Sequence, residues 1–537
     1  MKKIKLIFVF FFCSSNILAA LPKGDVVLRA MNDEIVRNVT RLKMKGFKSP
    51  YFIAYTVRDT NRYSLMATLG ALITEDNIHI RLGNFDVRVG TYKFDNSNFA
   101  NLSLVSKPLA VEDDYDAIRN TLWLYTDAVY KHVLETLSKK KAYRERKNIT
   151  EKLDDFVKMK PNVSIQYVVK IDCDKKSWAK KIRKISAVFK KYPQIKLSTV
   201  KFDCNAENKR YVNTEGSVYR YGKGFYRIAF DVVAQAKDGL LIQDKKYFLY
   251  HKDESVPEVD YFLKEADKFA KRVLEAMDAP SGDVYVGPVI FKGQASSIFF
   301  QSLLAKNLGS TRDIWTESDK STWMGKFNDR LDTRVMSSLF DVTSDPTIEK
   351  FDGKYLFGYY VLDDQAVKAQ KVELIKKGKL VDLLVSRAPT KKRKMPNGHG
   401  RGFYFQPIAQ VSNLIIKPSK TLTDKGLEDR LIQRCKELDL DYGIVIEAIP
   451  SPRDSFYAYK IFVSDGRKEL VKGFEFSNLS LRSLRDISAA SDKMESYPVN
   501  LDSVAGSIVA PNILVEEIEL KKTQRKPEKF PLVKNPL

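Results

Sequence analysis

Only four histidines occur among the 537 residues: His79, His132, His251 and His399. Metal-assisted hydrolysis asks for three protein ligands, an open position for water and a carboxylate to take the water's proton. No two of these histidines are close in sequence, so no single helix or hairpin offers a pair to one ion. His132 falls beside the apolar stripe of a long predicted helix and reads as a core-edge residue. His79 in a predicted strand and His251 in a polar loop read as surface residues. His399 lies in a glycine-rich loop, Asn397-Gly398-His399-Gly400-Arg401-Gly402, after the basic run Lys391-Lys392-Arg393-Lys394. Glycines there permit positive φ and close approach of another backbone. Two readings stay open. The loop serves a substrate or partner, with Arg401 clamping a carboxylate or phosphate, or it is a flexible exposed loop with incidental charge. Ser296-Ser297 has no Gly-x-Ser-x-Gly elbow, and Glu215 within Asn-Thr-Glu-Gly reads as a turn residue. A Ser-His-Asp triad, whose members need not be neighbours in sequence, stays open.

The elements that must position these residues follow from hydrophobic period. A helix is predicted over 26–45, stopped by Gly46, then strands over 51–57, 64–73 and 77–89, with Asn84 in a turn. A long helix over 114–146 carries Ile118, Leu122, Tyr125, Val129, Val133 and Leu137 on one face, and its tail Lys139-Lys140-Lys141 reads as a solvated face. A strand over 164–171, a helix over 178–192, strands over 197–203, 210–221 and 225–235, and a helix over 259–277 complete this half. Asp278-Ala279-Pro280-Ser281-Gly282 is the candidate boundary. Beyond it, residues 287–298 read as strand, turn and helix start, and the remainder is strand-rich apart from a helix over 426–438. The expected class is α+β: an N-terminal α/β domain over 21–281, a β-rich domain over 282–520 and a basic tail over 521–537 that reads as loose.

Several segments, in order, carry a family resemblance: Leu28-Arg29-Ala30-Met31, Arg88-Val89-Gly90, Tyr211-Val212-Asn213-Thr214-Glu215-Gly216, Gly287-Pro288-Val289, Asp363-Asp364-Gln365-Ala366-Val367, Ser386-Arg387-Ala388-Pro389, Asn397-Gly398-His399-Gly400-Arg401, Pro407-Ile408-Ala409-Gln410-Val411-Ser412-Asn413-Leu414 and Ser507-Ile508-Val509-Ala510-Pro511. With them the chain resembles the TldD/PmbA family of zinc metallopeptidases. The resemblance implies a cleft holding zinc on a His-Glu-x-x-x-His motif, with a cysteine near the C-terminus as third ligand. It also implies dimers, often of two related subunits of which one carries the metal. Here the motif positions read Gly293, Gln294 and Ile298, and residues 477–537 contain neither cysteine nor histidine. The expectation is a member without zinc and without zinc peptidase chemistry, a partner subunit in a homodimer or heterodimer or a peptide-binding protein. Gln294, His399, Arg401 and Asn413 are the residues expected to line its cleft. The alternatives are a hydrolase using an unrecognised site or a partner subunit, and a basic protein binding nucleic acid or an anionic envelope surface.

The formal charge of +24 favours anionic partners. The lysines are scattered, with no basic strip interleaved with aromatics, which argues against nucleic acid. Lys2, Lys3 and Lys5 precede the apolar run 6–13, and Ala19-Ala20 follows, as in a secretory signal peptide over 1–20. The chain is therefore expected to be exported, to a periplasm or the extracellular space. No later segment has the roughly 20 apolar residues of a membrane span. Export permits disulfides, and Cys173 and Cys204, at the ends of predicted strands, could pair. Cys435 reads as a buried thiol on the apolar face of its helix.

Overall fold

The computed structural model describes residues 21–22, 24–99, 106–312, 314–316, 325–402, 406–449, 455–501, 504–524, 528–531, 533 and 535–536. The expected signal peptide lies outside them. Two sheets organise the chain. The first is built between residues 52 and 251 and the second between residues 285 and 522.

The first sheet rests on four long strands, β1 (Phe52–Thr68), β2 (Ala71–Arg88), β3 (Ile195–Asn213) and β4 (Val218–Gln235), in the order β2-β1-β3-β4. A fifth, β5 (Leu241–His251), and a short strand Val163–Ile165 both pair with β4. Side chains alternate between the two faces of a strand. On β1, Ile53, Tyr55, Val57, Tyr63, Leu65 and Ala67 share one face, and helices cover it. Helices α1 (Val26–Arg41) and α2 (Tyr115–Arg146) pack over one end, α3 (Lys175–Ala187) and α4 (Val259–Asp278) over the other. The N-cap carboxylate of α1, Asp25, accepts from the Leu28 amide and from Arg210 and Arg220 of the sheet, so the cap also fixes the helix to its strands.

The second sheet has ten strands among the described residues. Strand β6 (Tyr285–Phe291) enters it and leads into helix α5 (Gln294–Leu303). The last strand, Val504–Lys522, pairs antiparallel with β6 and parallel with Asn413–Pro418, joining the end of the sheet at β6 to its middle. Its core gathers Val289, Phe291, Phe299, Phe300, Ile508 and Ile513, all fully buried.

Several expectations need correction. Residues 51–89 form one hairpin of two long strands, turning at Leu69 and Gly70, both at positive φ. Asn84 sits buried within β2, where it accepts a hydrogen bond from Ser106. Polar stretches that resemble turns are internal to the strands because they pair across them: Asp59 accepts from both Arg81 and His79. The segment 197–235 is likewise two strands rather than three. Its turn is at Asn213–Gly216, where the Asn213 side chain accepts from the Glu215 and Ser217 amides and Gly216 takes φ +96°. His251 ends strand β5, half-buried and stacked on Tyr355 at 4.2 Å, instead of lying in a loop. His132 is exposed rather than at the core edge. Lys140, expected in solvent, is fully buried, where it donates to Asp155 and to the Asp95 and Ser97 carbonyls. The tail is tied down at Glu528, whose carbonyl accepts from Gln235 and whose amide donates to Gly239.

Candidate functional site

Strand alternation builds the face of the first sheet that the helices leave uncovered. Glu207, Lys209 and Tyr211 on β3 and Tyr219, Tyr221 and Lys223 on β4 point to it in register, as the pairs Glu207–Lys223, Lys209–Tyr221 and Tyr211–Tyr219. Arg58 of β1 stands opposite Lys209 on this face. The second half presents the loop Tyr355–Asp364 and the segment around Arg401 against it. Between the halves lies a cavity of about 290 Å³, floored by β3 and β4 and roofed by Phe357, Tyr359, Tyr360 and Arg401.

Its electrostatics are organised around Asp364. Lys209 Nζ donates to Asp364 Oδ1 at 2.6 Å, Arg401 Nε to Oδ2 at 3.3 Å and the Gly402 amide to Oδ2 at 2.8 Å. Burial alone would raise the Asp364 pKa, but the two cations pull it well below the usual carboxylate range. Arg401 also lies over the Tyr360 ring at 4.2 Å. Its neighbour Asp363 is the opposite case. Burial pushes its pKa up to about 7 although the Val367, Gly400 and Gln365 amides donate to it. Among the described residues Lys223 donates only to the Phe357 carbonyl, at 3.3 Å, and burial together with the Arg401 charge lowers its pKa to about 7.

Of the four residues expected in a cleft, Arg401 alone lines this cavity. His399 is fully buried. A carbonyl can only accept, so His399 Nδ1–H donates to Asn397 at 2.9 Å, and the other nitrogen of the neutral ring accepts from the Ser344 hydroxyl at 3.0 Å. Burial lowers its pKa to about 4. Both nitrogens are committed, so His399 is neither a loop-tip ligand nor a metal donor. The glycines around it are there for packing. A side chain at Gly398 (φ +73°) would put its Cβ 2.1 Å from the Lys368 carbonyl oxygen. Asn413 is fully buried as well, accepting from the Gly358 amide and donating to the Asp345 and Ile348 carbonyls. Both are corrected from cleft-lining to structural. Gln294 is half-buried at the first turn of α5 and is not part of the cavity lining.

The start of α5 does not fit zinc. Gly293, at φ +54°, has the Tyr497 hydroxyl 2.8 Å from where a Cβ would stand, so a ligand side chain there would collide. The Gly293 amide donates to Asn512 and the Ser296 hydroxyl to the Pro511 carbonyl. From Gly293 to Ser310 no residue is His, Cys, Asp or Glu, so moving a motif along the helix recovers no ligand. Among the described residues no three such side chains gather as a metal site elsewhere.

Cys173 and Cys204 are near neighbours, as expected, yet both are free thiols. They hydrogen-bond each other, which lowers the Cys173 pKa and raises that of Cys204. Cys435 is fully buried with Leu427 and Leu431. Among the described residues no helix is long and apolar enough to cross a membrane. The residues that sequence reasoning missed are Lys209, Tyr219, Tyr221, Lys223 and Asp364. The alternation Tyr219-x-Tyr221-x-Lys223 is legible, but its partner strand and register had to be known first.

Residues 284–522 match the family model of the PmbA/TldA metallopeptidase C-terminal domain. A curated relative, a metalloprotease from Methanothermobacter thermautotrophicus, is 26% identical over 241 residues, which are 43% of this chain and 48% of that protein. The chain thus spans about half the length of that relative. Among solved structures, a protein named as a modulator of DNA gyrase from Thermotoga maritima superimposes with a TM-score of 0.59 at 14% identity, covering 91% of this chain and 99% of the other. TldE from Thermococcus kodakarensis gives 0.56 at 13% identity, with 91% and 99% covered. A further protein named as a modulator of DNA gyrase, from Bacteroides thetaiotaomicron, gives 0.55 at 11%, with 93% and 98% covered. At these identities the superpositions speak for the fold.

Proposed function

This chain belongs to the TldD/PmbA family, and from that premise we propose that it is an exported member without zinc peptidase chemistry, acting as a partner subunit or a peptide-binding protein. The observation that carries the reading is the helix α5. Its strand, turn and packing are in place, while the stretch Gly293 to Ser310 offers no group that holds zinc and no carboxylate to activate water. Replacement of the missing ligands from elsewhere finds no support at His399, whose two nitrogens are used internally. The likeness to a TldE fold supports a subunit role, in association with a second copy or with a related chain that keeps the histidines. Export rests on the charged and apolar N-terminus.

Metal analysis of the purified protein, combined with a peptide-cleavage assay, tests the proposal. The expected result is no stoichiometric zinc and no chelator-sensitive cleavage by the chain alone. Stoichiometric zinc together with cleavage that a chelator abolishes would overturn it.

A further inference from the structure

Of the four carboxylates that line the inter-half cavity, three are already engaged and the fourth, Glu349, is exposed to solvent. Asp364 holds Lys209 and Arg401, Glu207 lies 3.2 Å from Arg58, and Asp253 lies 2.6 Å from Lys252. Lys223 has no carboxylate within ion-pair distance among the described residues, and its one hydrogen bond goes to a neutral carbonyl. Behind it, Arg401 is 5% exposed and its Nη1 has no hydrogen-bond partner, and the hydroxyl of Tyr219, 1% exposed, has none either. An unmatched donor in a buried setting costs free energy on the order of 1–3 kcal/mol, so these two, beside a cation with no ion-pair partner, call for an acceptor. The space holding them, about 290 Å³, is at the low end of small-molecule pockets, and Tyr221, Phe357 and Tyr359 supply its apolar and aromatic sides.

We propose that this cavity binds a small carboxylate, the C-terminal end of a short peptide of roughly dipeptide size, with Lys223 as the direct anchor and Arg401 as the positive charge behind it. The proposal rests on the peptide-binding reading above and names its anchor. An anion beside Lys223 would restore the charged ammonium that burial disfavours, so binding and protonation of Lys223 are coupled. Affinity is then greatest in mildly acidic buffer and falls as pH rises through the neutral range.

The experiment is calorimetric titration of the full chain with N-acetylalanylalanine, with the C-terminal amide of the same dipeptide, and with inorganic phosphate. The acid is expected to bind about tenfold or more tightly than the amide, one charge-assisted hydrogen bond being of that order. Lys223→Met is expected to remove about that tenfold preference and Lys223→Arg to keep most of it, neither with a lowered melting temperature, because the bond Lys223 makes to the Phe357 carbonyl is a long one at 3.3 Å. Equal binding of acid and amide, no binding of the acid at millimolar concentration, or an unaltered preference in Lys223→Met would overturn the anchor. Tighter binding of phosphate than of the acid would overturn the carboxylate assignment. These outcomes are separable from the test of the proposed function. Zinc-dependent cleavage could appear with the acid preference intact, and the preference could vanish in a chain that holds no zinc.

Discussion

The glycine-rich loop around His399 and the strand face around Lys223 make opposite impressions in sequence and in space. The loop has the residue types of a site, a histidine, an arginine and four small or polar neighbours, yet its histidine is sealed and both ring nitrogens are satisfied. The strand face reads as an ordinary alternating strand, yet it floors the cavity between the halves and leaves Lys223 without an ion-pair partner among the described residues. The difference teaches that satisfaction, rather than residue type, separates a structural polar group from one available to a ligand. Buried polar groups whose bonds are complete stabilise a unique packing, whereas incomplete ones wait for a partner.

The comparison can be broken by substitutions that should affect one property and spare the other. The largest effect is expected at the ion pair joining the halves. Arg387, fully buried and 4.0 Å over the Phe156 ring, donates to Glu215 at 2.6 Å. Glu215→Ala strands that guanidinium, and equilibrium denaturation should show a loss of about 3–5 kcal/mol. His399→Ala comes next. It leaves the Ser344 hydroxyl and Asn397 carbonyl unmatched in the core, and denaturation should show a loss of about 2–4 kcal/mol with carboxylate affinity, referred to folded protein, unchanged. A loss of affinity without a loss of stability in that variant would reverse the assignment of the two regions.

A smaller effect concerns pH. The folded His399 ring stays neutral down to about pH 4, whereas the unfolded ring takes a proton near its ordinary value of 6.5. The unfolded state therefore binds more protons across that window, and stability falls as pH drops through it. His399→Gln should flatten this part of the stability–pH curve, measured by denaturation at a series of pH values. The smallest loss is expected at Lys223, where Lys223→Met should cost no more than about 0.5 kcal/mol of stability while removing the preference for a free carboxylate.

How far the sequence was legible depends on which signals are local. The helices 114–146 and 259–277 were readable because a single apolar stripe of period 3.6 suffices, and they appear as Tyr115–Arg146 and Val259–Asp278. The long strands were cut short because Asp59, Asn84 and Asn205 look like turn residues until their cross-strand partners are known. Lys140 looked solvated for the same reason: its partners, Asp95, Ser97 and Asp155, come from two other segments.

The sequence by itself determined the family resemblance, the α+β class and the absence of zinc-holding side chains along the helix after β6. Those are properties of residue type and order, and folding cannot add a ligand that the chain does not contain. Only the tertiary structure decided that His399 and Asn413 are interior, that Cys173 and Cys204 meet as thiols, and that Lys223 faces a cavity roofed by Arg401. Burial and hydrogen-bond satisfaction are set by which distant segments meet, and for β3, β4 and the Tyr355–Asp364 loop that meeting spans more than a hundred residues of intervening chain.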